Sequence, residues 1–466
     1  MRAGLPQTLA VALLAACGQA APPEPVPVPG PAPTVASIAQ VLKDSCTSWA
    51  GLDVATLPPL PVTPYTATFE QVWRIVLEKH FDPTLGCQDW PARRLEFGQR
   101  LADAKDATAA YATMNGLLAT LQQSHFKVVP PRSAAPAASG PARAPIHVRL
   151  LGDEVVVVDA AVGGVESGMP LGAVIVAIDG RPVAEIVAEV EAAALREGEV
   201  AFQTSLAVEA ALHGPVGARR KISFKDPRKA DAEVSREVSC VLPDGELVTI
   251  GNLHDIPTVV RHQMIAGTKV GQLAFNYWML PMVQRVEAAM ADLRAQGMTA
   301  LVLDLRGNPG GVGAMSIPVA RMLLTQPGSL GKLQFREFAQ EFNVAGNLDA
   351  FTGPVVVLVD EGTASTSEIF AVGLRDLGRA QIYGGRPSAG AALPSLIEML
   401  AGGAMLQYVV GDYHSSKGTV AEGDGVRPDV LVPETRGDFV AGRDPVLAAA
   451  VRALSTGGGA AKVPSP

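Results

Sequence analysis

Ser365 stands in the run Val357-Leu358-Val359-Asp360-Glu361-Gly362-Thr363-Ala364-Ser365-Thr366-Ser367-Glu368-Ile369-Phe370. An apolar strand breaks at Glu361-Gly362, turns through small polar residues, and enters a helix-forming stretch from Ile369 to Leu374. A serine at such a turn presents its hydroxyl at the carboxyl edge of a sheet, beside the unpaired N–H groups of a helix start. Exposure and donors for a developing oxyanion are what an acyl-transfer nucleophile requires. The same run also reads as an ordinary helix start, with Ser365 at the N-cap and Glu368 closing a capping box. A second run, Asp304-Leu305-Arg306-Gly307-Asn308-Pro309-Gly310-Gly311, follows a buried strand and opens a helix. Glycine there lets the backbone approach a ligand and aim N–H groups at an anion. The GxxxxGK[ST] phosphate-loop pattern is absent from it.

The elements around these runs alternate. Over residues 250–455, strands are expected at Gly271–Phe275, Ala300–Leu305, Val355–Val359 and Ala380–Tyr383. Helices are expected around Val283–Leu293 and Ile317–Leu324. Such alternation implies a mainly parallel sheet covered by helices. Residues 36–132 read as a helical domain, with Phe69, Val72, Trp73, Val76 and Leu77 at helical spacing and further helices over Pro91–Ala104 and Ala107–Leu121. No strand alternation competes with them. An Ala/Pro/Ser/Gly-rich linker covers 133–144. Residues 145–245 are β-rich at both ends, with strands at Ile146–Leu150, Glu154–Val158 and Ala218–Phe224, helices over Ala184–Leu195 and Phe202–Leu212, and a charged loop at Asp226–Asp231.

Composition bounds the partners. The 466 residues are 48% hydrophobic and 18% charged, with a net charge of −8 and no long basic run, so core material for two or three domains is ample and nucleic acid is not an expected partner. Residues 1–17 read as a signal segment: Arg2, an apolar run from Leu9 to Ala16 too short to span a bilayer, then Cys17. Leu14-Ala15-Ala16-Cys17 resembles a bacterial lipobox, whose Cys is lipid-modified; an ordinary secretory signal is the alternative. Residues 18–35 form a Pro-rich linker of semi-rigid polyproline character. An anchor followed by a spacer implies a body held at a membrane surface, facing the periplasm; Gly18 after the Cys favours the outer membrane by analogy. In that oxidising compartment one disulfide is expected, with Cys46 and Cys87 as the preferred pair and Cys240 left over. No His/Cys cluster has metal-ligand spacing, so neither metal nor cofactor is expected. Residues 456–466 read as a disordered tail.

The strings "VLDLRGNPGG" and "VLVDEGTASTSEIFAVGLRDLGRA", extended by "LQQSHF" and "EGDGVRPDV", resemble the C-terminal-processing and tricorn-like serine peptidases across roughly residues 65–455. The segment Ser167–Val183 is similar to the "GLxxGDxIxxIxGxxV" segment of PDZ domains, with Ala173 in place of the usual Asp. The resemblance implies a multidomain α/β protein: a helical domain, a PDZ-like domain and a crotonase/ClpP-like catalytic core. It implies Ser365 as nucleophile and an oxyanion hole from the Thr366 N–H with Gly310 or Gly311. One branch of the family uses a loop Lys as base, but that position is Gly390 here, and Lys417 lies outside the loop. The tricorn-like branch uses a His preceded by Ser, which maps to Ser124-His125, with the distal Glu mapping to Glu422. An imidazole titrating near ~6.5 suits proton abstraction from Ser at neutral pH. His414 is the runner-up base, and Glu368 is an accessory candidate. Arg306 is expected to anchor the Gly loop, and Trp278 to pack in the core. The implied activity is a serine endopeptidase acting on extended or unfolded polypeptides. A non-catalytic lipoprotein binding peptides or hydrophobic small molecules on the same fold is the alternative; an ester hydrolase would share the same machinery.

Overall fold

Phe69, Val72, Trp73 and Val76 recur every three or four positions and lie fully buried along one face of helix α1 (Thr66–Lys79). They do so in a computed structural model that describes residues 46–131, 140–192, 197–250, 253–419 and 421–456. The signal segment with Cys17, the Pro-rich linker, most of the 133–144 linker and nearly all of the tail lie outside the described residues. Helices α2 (Trp90–Ala102) and α3 (Ala107–Ala119) begin where Asp89 and Asp106 accept hydrogen bonds from the N–H groups of Ala92 and Ala109. Each such cap contributes about 1 kcal/mol. Trp73 and Trp90 stack, and each indole N–H donates to the other's carbonyl. Cys46 and Cys87 are both disulfide-bonded, whereas Cys240 is a buried free thiol.

This region is not purely helical, contrary to expectation. Lys127–Val129 form a strand, β1. Three residues are too few to show a period, and the partner strand lies far away in sequence, so no local signal marks it.

The middle module is an antiparallel sheet. Its strands are β2 (His147–Leu151), β3 (Glu154–Asp159), β4 (Val174–Ile178), β5 (Arg219–Asp226) and β6 (Ala232–Ser239), in the order β6-β5-β4-β3-β2. Helices α4 (Val183–Ala192) and α5 (Glu197–Leu212) pack on it through Val183, Ile186, Val208 and Leu212. Strand β6 is mostly exposed, and Arg236 interrupts the face through which Val234 and Val238 reach the core, so its apolar alternation is weak.

The C-terminal body is built on β7 (Val260–Met264), β8 (Val270–Phe275), β9 (Ala300–Asp304), β12 (Val355–Val359), β13 (Ala380–Gly384) and β17 (Val430–Leu431). β8, β9, β12, β13 and β17 are parallel, and only β7 runs antiparallel in this sheet. Every residue of β9 and β12 is buried, so both sheet faces need cover. Helices α6 (Leu280–Ala295), α7 (Ser316–Arg321) and α8 (Thr366–Asp376) cover one face, and α9 (Pro445–Ser455) covers the other. The remaining strands break the expected β/α alternation. β10 (Gly328–Phe335), β11 (Ala339–Val344) and β16 (Gly411–His414) make one antiparallel sheet. β14 (Ser395–Met399) and β15 (Met405–Val409) make another with β1, in the register Lys127↔Gln407 and Val129↔Met405. The apolar core of the helical region is completed by Leu400, Leu406 and Tyr408 of that hairpin. The N-terminal helices are thereby joined to the body through both a sheet and a core. No helix among the described residues is long and apolar enough to cross a membrane.

Candidate active site

Strand β12 delivers the chain to a turn that the Gly loop holds in place. Asp360 accepts from the N–H groups of Gly307 (2.8 Å) and Gly362 (3.0 Å), and the Thr363 hydroxyl donates to the Leu305 carbonyl at 2.9 Å. The Ala364 N–H donates to the Asn308 carbonyl at 3.0 Å. Ser365 follows with φ 55° and ψ −121°, a backbone state that costs about 1–3 kcal/mol for a residue with a side chain. Two acceptors keep it there: the Ser365 N–H donates to the Ala391 carbonyl (2.8 Å) and to Glu368 Oε2 (3.0 Å). Glu368 is fully buried and accepts three further bonds, from Ser388 Oγ (2.5 Å), Gly390 N–H (2.9 Å) and Ala391 N–H (2.9 Å). Burial pushes its carboxyl up to about 7, while these donors pull the other way. Glu368 is thus the clamp of the serine turn.

The Ser365 hydroxyl faces an imidazole from the other end of the chain. His125 Nε2 lies 3.0 Å from Ser365 Oγ, and Nδ1 lies 2.7 Å from Ser124 Oγ. Ser124 Oγ donates to Glu422 Oε2 at 2.9 Å, and the Ser124 N–H donates to Glu422 Oε1 at 3.0 Å. Because the Ser124 proton points at the carboxylate, Ser124 Oγ must accept from Nδ1–H. That tautomer leaves the Nε2 lone pair toward Ser365. Ala392 N–H donates to Glu422 Oε2 as well (2.9 Å), tying this carboxylate to the loop beside the serine. His125, like Ser365, has positive φ, at 63°. Burial lowers its pKa and the Glu422 charge raises it, with a net shift downward. The imidazole is therefore neutral near pH 7, the state a general base needs.

The Gly loop lies against Ser365. A Cβ on Gly310 would sit 2.6 Å from the Ser365 Cβ and 3.0 Å from the Thr366 nitrogen, and its φ is +98°. No other residue type fits there. The Gly310 N–H, however, donates to Asn308 Oδ1 at 3.0 Å, so of the two glycines Gly310 is not the available donor. Among the described residues no acceptor engages the N–H of Gly311 or of Thr366. Trp278 positions this stretch by donating from its N–H to the Gly310 carbonyl (3.0 Å) and accepting from the Val312 N–H (2.7 Å). The arrangement offers a hydroxyl, a neutral base with a carboxylate behind it, and two unengaged N–H donors: the parts for acyl transfer.

Residues 269–432 match the profile of peptidase family S41. Over 391 residues the chain is 28% identical to a chloroplastic C-terminal processing peptidase of Tetradesmus obliquus, covering 82% of this chain and 80% of that one. It is also 28% identical to a carboxyl-terminal-processing protease of a Picosynechococcus species, over 78% of this chain and 82% of that protein. The profile match spans the Gly loop, the serine turn and Glu422. Two solved structures share the multidomain α/β fold. The photosystem II D1 C-terminal processing protease has 22% identity and a TM-score of 0.51 over 80% of this chain and 94% of that one. Mature CPAF has 14% identity and a TM-score of 0.59 over 84% of this chain and 98% of that one.

Of the residues singled out in the sequence, Ser365, His125, Ser124 and Glu422 meet in one chain of contacts, with Gly310, Gly311 and Thr366 beside them. His414 does not join them; its Nε2 lies 3.3 Å from Asp412 Oδ2 at the end of β16. Arg306 does brace the Gly loop, pairing with Asp304 and Asp444 at 2.7 and 2.8 Å. Trp278 is buried, and its indole N–H donates to Ser367 Oγ. The sequence reading missed Asn308, which is fully buried, and Ser388. Asn308 lies inside the "GNPGG" string, so its place in that motif was the available signal; Ser388 had none.

Proposed function

We propose that this serine-type peptidase cleaves extended or unfolded polypeptides, with Ser365 as nucleophile and His125 as its base. The observation that carries the reading is the 3.0 Å approach of His125 Nε2 to Ser365 Oγ, with Ser124 and Glu422 aligned behind the imidazole. In this mechanism Ser365 Oγ attacks the scissile carbonyl and its proton passes to Nε2. The imidazolium is stabilised through Nδ1–H by Ser124 and Glu422. The carbonyl oxygen, now anionic, is held by the N–H groups of Gly311 and Thr366. Nε2 then returns the proton to the departing amine, and water repeats the cycle on the acyl-enzyme.

The middle module is read as PDZ-like, adding a substrate terminus as a strand, and the body as a crotonase/ClpP-like core. The carboxyl-terminal processing carried out by its relatives points the same way. Lipidation at Cys17 would hold the enzyme on the outer membrane, facing the periplasm. Hydrolysis of an unfolded casein substrate, together with labelling by a fluorophosphonate, tests the mechanism. Wild type is expected to cleave and to be labelled at Ser365, and Ser365→Ala to do neither. Equal hydrolysis by both proteins would overturn the assignment.

A further inference from the structure

A second imidazole, outside the proposed mechanism, touches the corner that carries His125. His80 follows α1 directly and is fully buried. Its ring meets both residues that flank the Ser124–His125 pair. Nε2 stands 2.7 Å from Gln123 Oε1, and the ring stacks on Phe126 with centroids 5.8 Å apart and planes at 20°. Gln123 presents an acceptor, so Nε2 carries the ring proton, and Nδ1 accepts from the Asp82 N–H at 3.1 Å beside the Asp82 carbonyl at 2.9 Å. Burial lowers the pKa of this ring, so it is neutral near pH 7 and keeps that tautomer. The support behind it is itself braced. The Asp82 carboxylate accepts from the Thr84 N–H (3.0 Å), the Thr84 hydroxyl (2.8 Å) and the Gly86 N–H (3.3 Å), and Arg336 donates to the His80 carbonyl.

The turn that His80 touches has few other ties. Residues 122–126 lie between α3 and β1 and belong to no helix or strand. Gln122 and His125 have positive φ, at 52° and 63°, a region that side chains disfavour. Among the described residues no backbone carbonyl engages the N–H of Gln123 or of His125. The Ser124 N–H donates to Glu422, which belongs to the body. For residues 123–126 the Gln123–His80 hydrogen bond is therefore the polar tie to their own domain among the described residues.

We infer that His80 is a positioning residue for His125: by holding Gln123 on one side of the Ser124–His125 pair and stacking on Phe126 on the other, it fixes where Nε2 of His125 stands relative to Ser365 Oγ. This rests on the reading of His125 as the base. Without the tie, the strained backbone at Gln122 and His125 relaxes toward commoner conformations and carries the imidazole with it. A base displaced by a fraction of an ångström slows proton transfer, while the groups that bind substrate stay where they were. The loss therefore falls on kcat and leaves KM alone.

The test uses the full chain and a peptide that wild type cleaves, with steady-state kinetics, thermal unfolding and the rate of fluorophosphonate labelling at Ser365. His80→Phe keeps an aromatic ring against Phe126 but has no N–H for Gln123. Its kcat and labelling rate are expected to fall about 10-fold, the scale of one lost hydrogen bond, with KM changed by less than about 2-fold. His80→Gln offers an amide N–H at the reach of Nε2 and is expected to restore most of that loss. Gln123→Leu is expected to match His80→Phe, and combining the two should cost no more than about 2-fold beyond either, because both cut the same tie. Wild-type kcat in a folded His80→Phe would overturn the inference, as would a loss that His80→Gln leaves unrestored or that adds in full to Gln123→Leu. Should His80→Phe not fold, Gln123→Leu, at a half-buried position, decides alone: wild-type kcat there overturns the inference. If His125→Ala is labelled as fast as wild type, the reading of His125 as base fails, and the inference with it.

Discussion

The two halves of the candidate site are built differently. The serine half belongs to one piece of the fold: the end of β12, the start of α8, the Gly loop and the loop from Ser388 to Ala391. Within it, strained backbone at Ser365 is held by the Ala391 carbonyl and by a fully buried, four-times hydrogen-bonded Glu368. The imidazole half arrives from the N-terminal helices. Its place depends on a three-residue strand, on the Ser124–Glu422 contacts and on Arg336, which donates to the carbonyls of His80 (2.9 Å), Glu78 (3.0 Å) and Leu77 (3.2 Å) at the end of α1. Ser365 is over-determined and His125 is docked. Damage to the first half should abolish chemistry at a fixed geometry, whereas damage to the second should loosen an otherwise intact site.

The largest effects separate the halves by chemistry. Ser365→Ala is expected to lower kcat by about 10⁴-fold or more, with unchanged thermal unfolding. Gly310→Ala drives a Cβ into Ser365, and a loss of about 10²–10³-fold in kcat is expected from the displaced turn and oxyanion donors. A Gly310→Ala enzyme of wild-type activity would show that the loop does not press on Ser365. Ser124→Ala breaks the link between imidazole and carboxylate, and kcat should fall about 10²-fold at unchanged KM, read from steady-state peptide kinetics.

Smaller effects probe the docking. Arg336→Ala removes charge-assisted bonds that together contribute about 1.5–3 kcal/mol. Calorimetry should show a lowered or split unfolding transition, and kcat should fall far less than for Ser124→Ala. The pH dependence is the mildest prediction. His125 titrates below its ordinary value in the folded state, so peptide hydrolysis should rise with pH through a midpoint below ~6.5 and then level off. The same shift works on stability: above ~6.5 the imidazole is neutral in both states, and below it the unfolded chain binds the proton first. The stability contributed by burying neutral His125 is therefore present above that pH and lost as pH falls.

The contrast between halves also explains what the sequence reveals. The serine turn is legible because its signals are contiguous: five apolar residues, a break, small polar residues, then a helix with Glu368 in its first turn. The parallel sheet is legible for the same reason, since β12 and, up to its closing Asp304, β9 are unbroken apolar runs. Lys127–Val129 is not, because its pairing with Met405–Gln407 leaves no trace in three residues. Ser124, His125 and Glu422 are visible only through resemblance to a family; nothing in their local periodicity joins residues 124 and 422. Gly310 illustrates the limit of motif reading. The string identifies a close-approach loop, but only the Asn308 contact assigns the Gly310 N–H elsewhere and leaves Gly311. Phe202 belongs to no motif, and its neighbours Ala364, Ala389 and Ala391 read as filler until the fold gathers them.

The second-order rate of fluorophosphonate labelling at Ser365, measured for wild type and His125→Ala at pH 7.5, tests the pairing across the seam most directly. A fall of about 10³-fold in the variant, with unchanged near-UV circular dichroism, is the predicted result. An undiminished labelling rate would mean that the serine is activated by some other group, and the docked imidazole would lose its role.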